Sequence, residues 1–191
     1  VGLLQKVSVL VVGPGLGQAS WGRSLLSAAA NAPLAQVWDA DALNMLAGEL
    51  VTLPKDCVIT PHPGEAARLL GISAAQVQAD RPAAAHALSK KYTAVVILKG
   101  AGSLIASPDG RLSVCHQGHP AMATAGLGDV LAGLVGALLA QGMDAFDAAC
   151  LGVWLHANAG AQQGKSGRGL AASDLIPAIR QLLEEQAPCL K

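Results

Sequence analysis

The chain has 191 residues, 52% hydrophobic and 14% charged, with 13 basic against 13 acidic side chains and a formal net charge of zero. That length and apolar content suit one folded domain with a substantial core and exclude a disordered chain. The balanced charge, with one Phe, one Tyr and three Trp, argues against a nucleic-acid-binding surface.

Short β-branched runs alternate with longer helical stretches, the pattern of an α/β domain with a largely parallel sheet. Residues 7–12 read as a buried strand ended by Gly13-Pro14-Gly15-Leu16-Gly17. A helix over 18–30, a strand over 35–38 and a helix over 42–50 follow. Residues 57–60 form a strand that runs into Pro61-His62-Pro63-Gly64-Glu65, with helix through residue 70. Ser73 caps a helix reaching residue 90 with a break at Arg81-Pro82. Residues 93–98 are the clearest strand, and Pro108-Asp109-Gly110 turns a hairpin between strands 103–106 and 112–115. Three helices, over 127–141, 144–163 and 173–186, complete the chain. The apolar run at 130–140 is too short to span a bilayer, so no membrane is expected. Cys57, Cys115, Cys150 and Cys189 have no metal-ligand spacing and read as reduced thiols of a cytoplasmic protein.

In open parallel sheets, ligands bind outside the carboxyl ends of the strands. The unusual residues of this chain converge on such ends. Gly13-Pro14-Gly15-Leu16-Gly17 follows a strand, but Gln18 stands where a dinucleotide fingerprint needs glycine. It is either a tight turn or a place of close ligand approach. Asp39 and Asp41 at the second strand end either cap a helix or hold Mg²⁺ through water. His62, stiffened by a proline on each side, is a ligand contact or a structural turn. Lys99-Gly100-Ala101-Gly102-Ser103 ends the fourth strand, where lysine suits nucleotide phosphate and small residues allow close approach; the alternative is a solvated turn. Gly126-Leu127-Gly128-Asp129 opens an apolar helix. Its free N–H groups and dipole suit an anion, and Asp129 is positioned either as a base for an attacking hydroxyl or as a simple cap. Gly164-Lys165-Ser166 imitates the tail of a P-loop, but Ala159 stands where the first glycine belongs. His156, on an apolar helix, reads as a packed core residue.

Taken in order, these segments resemble the bacterial ADP-dependent NAD(P)H-hydrate dehydratase family. The resemblance is carried by Val11-Val12-Gly13-Pro14-Gly15-Leu16-Gly17, Asp39-Ala40-Asp41-Ala42-Leu43-Asn44, Thr60-Pro61-His62-Pro63-Gly64-Glu65-Ala66, Leu98-Lys99-Gly100-Ala101-Gly102-Ser103 and Met122-Ala123-Thr124-Ala125-Gly126-Leu127-Gly128-Asp129-Val130-Leu131-Ala132-Gly133. It implies a ribokinase-like three-layer α/β/α fold over residues 1–191, often the C-terminal half of a bifunctional protein with a fused epimerase domain. It implies that ADP phosphorylates the hydroxyl of a hydrated nicotinamide ring, after which phosphate leaves and NADH or NADPH is restored. By position, Lys99, Gly100, Ala101, Gly102, Ser103 and Gly128 would contact the AMP part of the nucleotide. Gly15, His62 and Asp129 would contact the hydrate, with Asp129 as the catalytic base. N–H groups near Gly126, Leu127 and Gly128 would form an anion hole, Mg²⁺ would accompany the diphosphate, and the protein would be a homo-oligomer, commonly a tetramer. A glycine-rich segment usual in the family is absent before Val1, which predicts an incomplete N-terminal part of the fold and a sheet with an exposed edge. Two other readings share these residues: a ribokinase-like kinase of the thiazole or hydroxymethylpyrimidine type, and a silent nucleotide-binding subunit.

Overall fold

Six strands pair in chain order into one sheet: β1 (Val9–Val12), β2 (Ala35–Trp38), β3 (Cys57–Ile59), β4 (Val95–Leu98), β5 (Ser103–Ala106) and β6 (Leu112–Cys115). The computed structural model from which they come describes residues 4–167 and 169–187; Cys189 lies outside them. Strands β1 to β4 are parallel and β5 and β6 antiparallel, with Val11 opposite Val37, Val58 opposite Val95 and Ile97 opposite Ile105. Eight α-helices surround them in the described residues: α1 (Ser20–Ala30), α2 (Ala40–Ala47), α3 (Pro63–Leu70), α4 (Ala74–Ala79), α5 (Arg81–Tyr92), α6 (Leu127–Ala140), α7 (Ala145–Gly164) and α8 (Leu175–Gln186).

The period-2 alternation of the strands divides their side chains between two cores. Trp38, Ile59, Val96, Leu98, Leu104 and Ala106 pack against α1 to α5. Val37, Val58, Val95, Ile97, Ile105 and Cys115 pack against α6 and α7. A third cluster, including Leu127, Leu155, Leu175 and Leu182, joins α6, α7 and α8. The result is the three-layer α/β/α arrangement expected of the sequence. Each fully buried Leu, Ile or Val contributes about 1.5–3 kcal/mol. Gln36, a buried polar residue on the same face as Trp38, is satisfied: its amide donates to the Ala29 carbonyl at 2.6 Å and accepts from Trp38 Nε1 at 2.8 Å.

Glycine sets how closely α6 lies on the sheet. A Cβ at Gly136 would stand 2.5 Å from a Val11 methyl, and one at Gly152 would stand 2.8 Å from a Val135 methyl, so both helix contacts depend on a missing side chain. Helix α6 begins at the carboxyl edge of the parallel strands and α7 returns to it, which places residues 126–129 and His156 near the ends of β1 to β4. The stretch over 73–90 is broken at Arg81-Pro82 as expected, and forms two helices because the Asp80 carboxylate accepts from the Ala83 N–H and starts α5 anew. Strand β1 is the first in the strand order of the described residues, and Val11 on it is 42% exposed. No helix in the described residues is long and apolar enough to cross a membrane.

Candidate active site

The first four strands each deliver one loop to the same edge. After β1, Gly13 takes φ +124°, and a Cβ there would collide with the Asp39 carbonyl. Its glycine is therefore required by contact between two loops. Gly15 (φ +64°) and Gly17 (φ +72°) face open space. The Gly17 N–H donates to Asp41 Oδ2 at 2.9 Å and the Gln18 amide to Oδ1 at 3.1 Å. Asp41 thus secures the glycine turn instead of capping a helix.

Asp39 stands at the N-cap position of α2, yet its side chain makes no capping bond. Ala40, the next residue, is held at φ +48°, a left-handed conformation unfavourable for alanine. The Asp39 carboxylate, 2% exposed, instead meets Lys99 Nζ at 2.6 Å. Glu65, buried in the first turn of α3, lies 3.8 Å from the same ammonium. Two acidic groups and one base from three separate loops therefore converge at the strand ends. Gly128 completes the cluster: a Cβ there would lie 3.2 Å from Lys99 Nζ and 3.3 Å from Asp39 Oδ2. The first turn of α6 approaches the ion pair this closely because position 128 has no side chain.

His62 has a structural duty. Its Nδ1 accepts from the N–H groups of Gly64 (2.9 Å) and Glu65 (3.4 Å), while Glu65 Oε2 accepts from the His62 N–H at 2.7 Å. This reciprocal capping box starts α3. With Nδ1 accepting, the neutral ring carries its proton on Nε2, which stands 3.5 Å from Glu65 Oε1 on a half-exposed side chain. His62 therefore fills the structural role read from sequence, capping α3, with its Nε2 beside the Glu65 carboxylate.

Past β4, the Lys99–Ser103 turn is braced from behind. Arg81 Nη2 donates to the carbonyls of Leu98 (3.2 Å) and Gly102 (3.0 Å), and a Cβ at Gly100 would lie 2.5 Å from Arg81 Nη1. Gly100 makes room for an arginine of the protein, whereas Gly102 faces open space. Ser103 Oγ donates to the Gly100 carbonyl at 3.1 Å, and Ala101 is exposed at the tip. Burial lowers the Arg81 guanidinium from its ordinary value.

Helix α6 opens on Gly126 in the left-handed region (φ +83°) without a side-chain cap, so the N–H groups of its first turn are free of a capping side chain. The Asp129 carboxylate in that turn is exposed and makes no hydrogen bond or ion pair within the described residues. It does not cap its own helix. His156 on α7 contacts the same turn, with Nε2 2.9 Å from the Leu127 carbonyl. A carbonyl only accepts, so Nε2 carries the proton. Burial pushes this imidazole below its ordinary value; the hydrogen bond opposes that shift and the Lys99 ammonium adds to it. His156 is more than the packed core residue that the sequence suggested.

The structure thus brings Lys99, Gly128, Asp39 and Glu65 into contact, with His156 joined through Leu127. Gly15, Ala101 and Asp129 share the strand-end edge without a hydrogen bond or ion pair linking them to that cluster in the described residues. Sequence reasoning missed the parts played by Asp39, Glu65, Arg81 and His156. The fixed spacing of Asp39 after β2 was a visible signal, but nothing local marked Arg81 or His156. Asp39 and Asp41 are engaged, and the described residues hold no group of three His, Cys, Asp or Glu able to cage a metal.

Known proteins resemble this chain in sequence and in fold. The chain is 46% identical over 183 residues to the bifunctional NAD(P)H-hydrate repair enzyme of Coxiella burnetii, covering 95% of this chain and 37% of that protein. It is 45% identical over 190 residues to the ADP-dependent (S)-NAD(P)H-hydrate dehydratase of Neisseria meningitidis, covering 93% of this chain and 64% of that one. The chain therefore spans little more than a third of the bifunctional relative and just under two thirds of the shorter one. The crystal structure of the ADP/ATP-dependent NAD(P)H-hydrate dehydratase of Bacillus subtilis, co-crystallised with ATP/Mg²⁺ and soaked with CoA, superposes with a TM-score of 0.82 at 28% identity, covering 93% of this chain and 66% of that one. The family model described as NAD(P)H-hydrate dehydratase matches residues 1–181, and the chain belongs to that family.

Proposed function

We propose that this protein carries out an ADP-dependent dehydration of hydrated NADH or NADPH, a cofactor-repair reaction. Family membership supports the chemistry. The observation that carries it is the unpaired, exposed carboxylate of Asp129 in the uncapped first turn of α6. In this reading the hydroxyl of the hydrated ring gives its proton to Asp129 while its oxygen attacks the β-phosphoryl group of ADP. The new P–O bond forms as the bond to AMP breaks, and AMP leaves with those electrons. Phosphate then departs from the ring with the C–O bonding pair while a proton leaves the neighbouring ring carbon, restoring the double bond. N–H groups of Gly126, Leu127 and Gly128 receive the negative phosphoryl oxygens. Lys99, Gly100, Ala101, Gly102, Ser103 and Gly128 bind the nucleotide. Gly15 and His62 bind the hydrate beside Asp129, His62 through its Nε2–H.

Mg²⁺ would neutralise diphosphate charge. The donor set suits an ion carried mainly by the nucleotide, since Asp39 and Asp41 already have partners and magnesium keeps few protein ligands. A cytoplasmic homo-oligomer, residues 1–191 acting as one domain and a fused epimerase partner belong to the same proposal, the last supported by the bifunctional relative.

The test mixes protein, hydrated NADH, ADP and Mg²⁺ and follows the absorbance of the reduced nicotinamide. Recovery of NADH that depends on ADP and on Asp129 supports the dehydratase. A phosphorylated product that never eliminates would identify a small-molecule kinase instead. Nucleotide binding without turnover would identify a silent subunit.

A further inference from the structure

We propose that Asp39 is a positioning residue that aims the Lys99 ammonium at the terminal phosphoryl group of the nucleotide. The inference rests on the reading above, in which that group lies at the first turn of α6. Three observations carry it.

First, Lys99 Nζ does not extend along the Lys99–Ser103 turn toward solvent. It is drawn to the carboxylate of Asp39, at 2.6 Å, and abuts the backbone of Gly128. Lys99 is thereby a cation placed against the turn that carries Asp129. Second, the Asp39 carboxylate is almost fully buried and serves no helix cap, although its place in the chain offers that role. It is delivered to Lys99 across a strained junction, with Ala40 at φ +48°. Third, an ammonium has three donors. Asp39 uses one, Glu65 at 3.8 Å is beyond hydrogen-bond distance, and donors remain for an incoming oxygen.

A buried ion pair is weak support for stability, because desolvation offsets the attraction. Its geometry is better explained by orientation. Protein kinases use the same device, a phosphate-binding lysine held by a carboxylate. An amine on a flexible four-carbon stem loses much of its value if it wanders, and a fixed one adds charge where the transferred group becomes most negative. This changes the role inferred from sequence: Lys99 takes the phosphoryl group in transfer, and the rest of its turn takes the AMP part.

ADP and AMP differ by that one phosphoryl group, so their affinities isolate it. Calorimetric titration of wild type, Asp39→Asn, Lys99→Met and the double variant with each nucleotide, in the presence of Mg²⁺, gives the test. Wild type should prefer ADP. Asp39→Asn should shrink the ADP-over-AMP margin about 10-fold while AMP affinity stays within about twofold. In the Lys99→Met background, Asp39→Asn should have no further effect on the margin, because the group it positions is gone. An intact margin in Asp39→Asn, parallel loss of ADP and AMP binding, or simple additivity of the two substitutions would each overturn the proposal. If Asp39→Asn does not fold, Lys99→Arg gives the same reading by keeping the charge and moving it: the margin must shrink with AMP binding preserved, and an unchanged margin rejects the inference. A wild-type protein that prefers ADP but fails to restore hydrated NADH would sink the dehydratase reading and leave this one standing. A wild type without ADP preference removes the positioning role whatever its turnover.

Discussion

The two edges of the sheet each hold an ion pair, and the pairs behave differently. At the carboxyl edge, Lys99 and Asp39 meet at 2.6 Å with their side chains 20% and 2% exposed. At the amino edge, in the hairpin between β5 and β6, Arg111 and Asp109 meet at 2.8 Å with theirs 49% and 53% exposed. The distances are alike, but the surroundings are not. In the hairpin, water screens the charges, and Arg111 has further company in the Phe146 ring, 4.4 Å from its guanidinium carbon. Removing one partner there returns the other to solvent. At the carboxyl edge, removing Lys99 leaves the Asp39 carboxylate, 2% exposed, with little access to water. Distance alone does not rank an ion pair; burial does.

That contrast can be broken by substitution, beginning with its strongest arm. Lys99→Met should lower stability by about 3–5 kcal/mol, because Asp39 is left buried and unpaired. Chemical denaturation of the two proteins measures it, and an unchanged midpoint would place Asp39 in a wetter site than its burial indicates. Asp129→Ala should reduce turnover by roughly 10²-fold, about 2.7 kcal/mol, with nucleotide binding and stability nearly unchanged, since this carboxylate makes no structural bond. Wild-type rates in that variant would remove Asp129 from the reaction.

His62→Ala should act on two measurements at once. Loss of the capping box should cost about 1 kcal/mol of stability, and loss of the Nε2 donor should raise the KM for the hydrate. A stability loss with an unchanged KM would leave His62 a structural residue. The smallest effect belongs to the hairpin. The Arg111 hydrogen bonds hold the Asp109 carboxyl down at about 2. A group lowered in the folded state favours folding at pH values above its ordinary value, and that contribution fades as pH falls toward 2. Arg111→Ala should raise the Asp109 titration, followed by NMR, toward the usual carboxylate range but leave it below, because the backbone N–H of residue 111 still donates to the carboxylate, while activity at neutral pH is unaffected. A loss of activity there would undo the contrast between the two edges.

Much of the fold was legible in the chain. Strands 35–38, 103–106 and 112–115 match their expected bounds, because alternating or continuous β-branched runs between glycine and proline signals leave few alternatives. The start of α6 at Leu127 was equally plain from the glycines before an apolar run. Bounds shifted where a contact distant in sequence decided them. Helix α2 starts at Ala40 instead of residue 42, since the chain turns sharply at Ala40 to send Asp39 inward. The candidate site was legible as a set of loops, but not as a set of contacts.

Asp39 illustrates the limit. From its neighbours alone it was a cap or a metal ligand; its side chain makes no capping bond, because Lys99, 60 positions later, supplies a closer charge. Gly100 looked like space for a ligand and holds the guanidinium of Arg81. His156 looked like core filling and bonds the turn that carries Asp129. What the sequence by itself determined was the class of fold, the strand-end convergence and the family, because these follow from local periodicity and from ordered motifs. The tertiary structure alone decided which charges pair, which glycines make way for protein and which for open space, and which carboxylate is left free. Those outcomes depend on burial and on distances between segments far apart in the chain, and no local pattern encodes either.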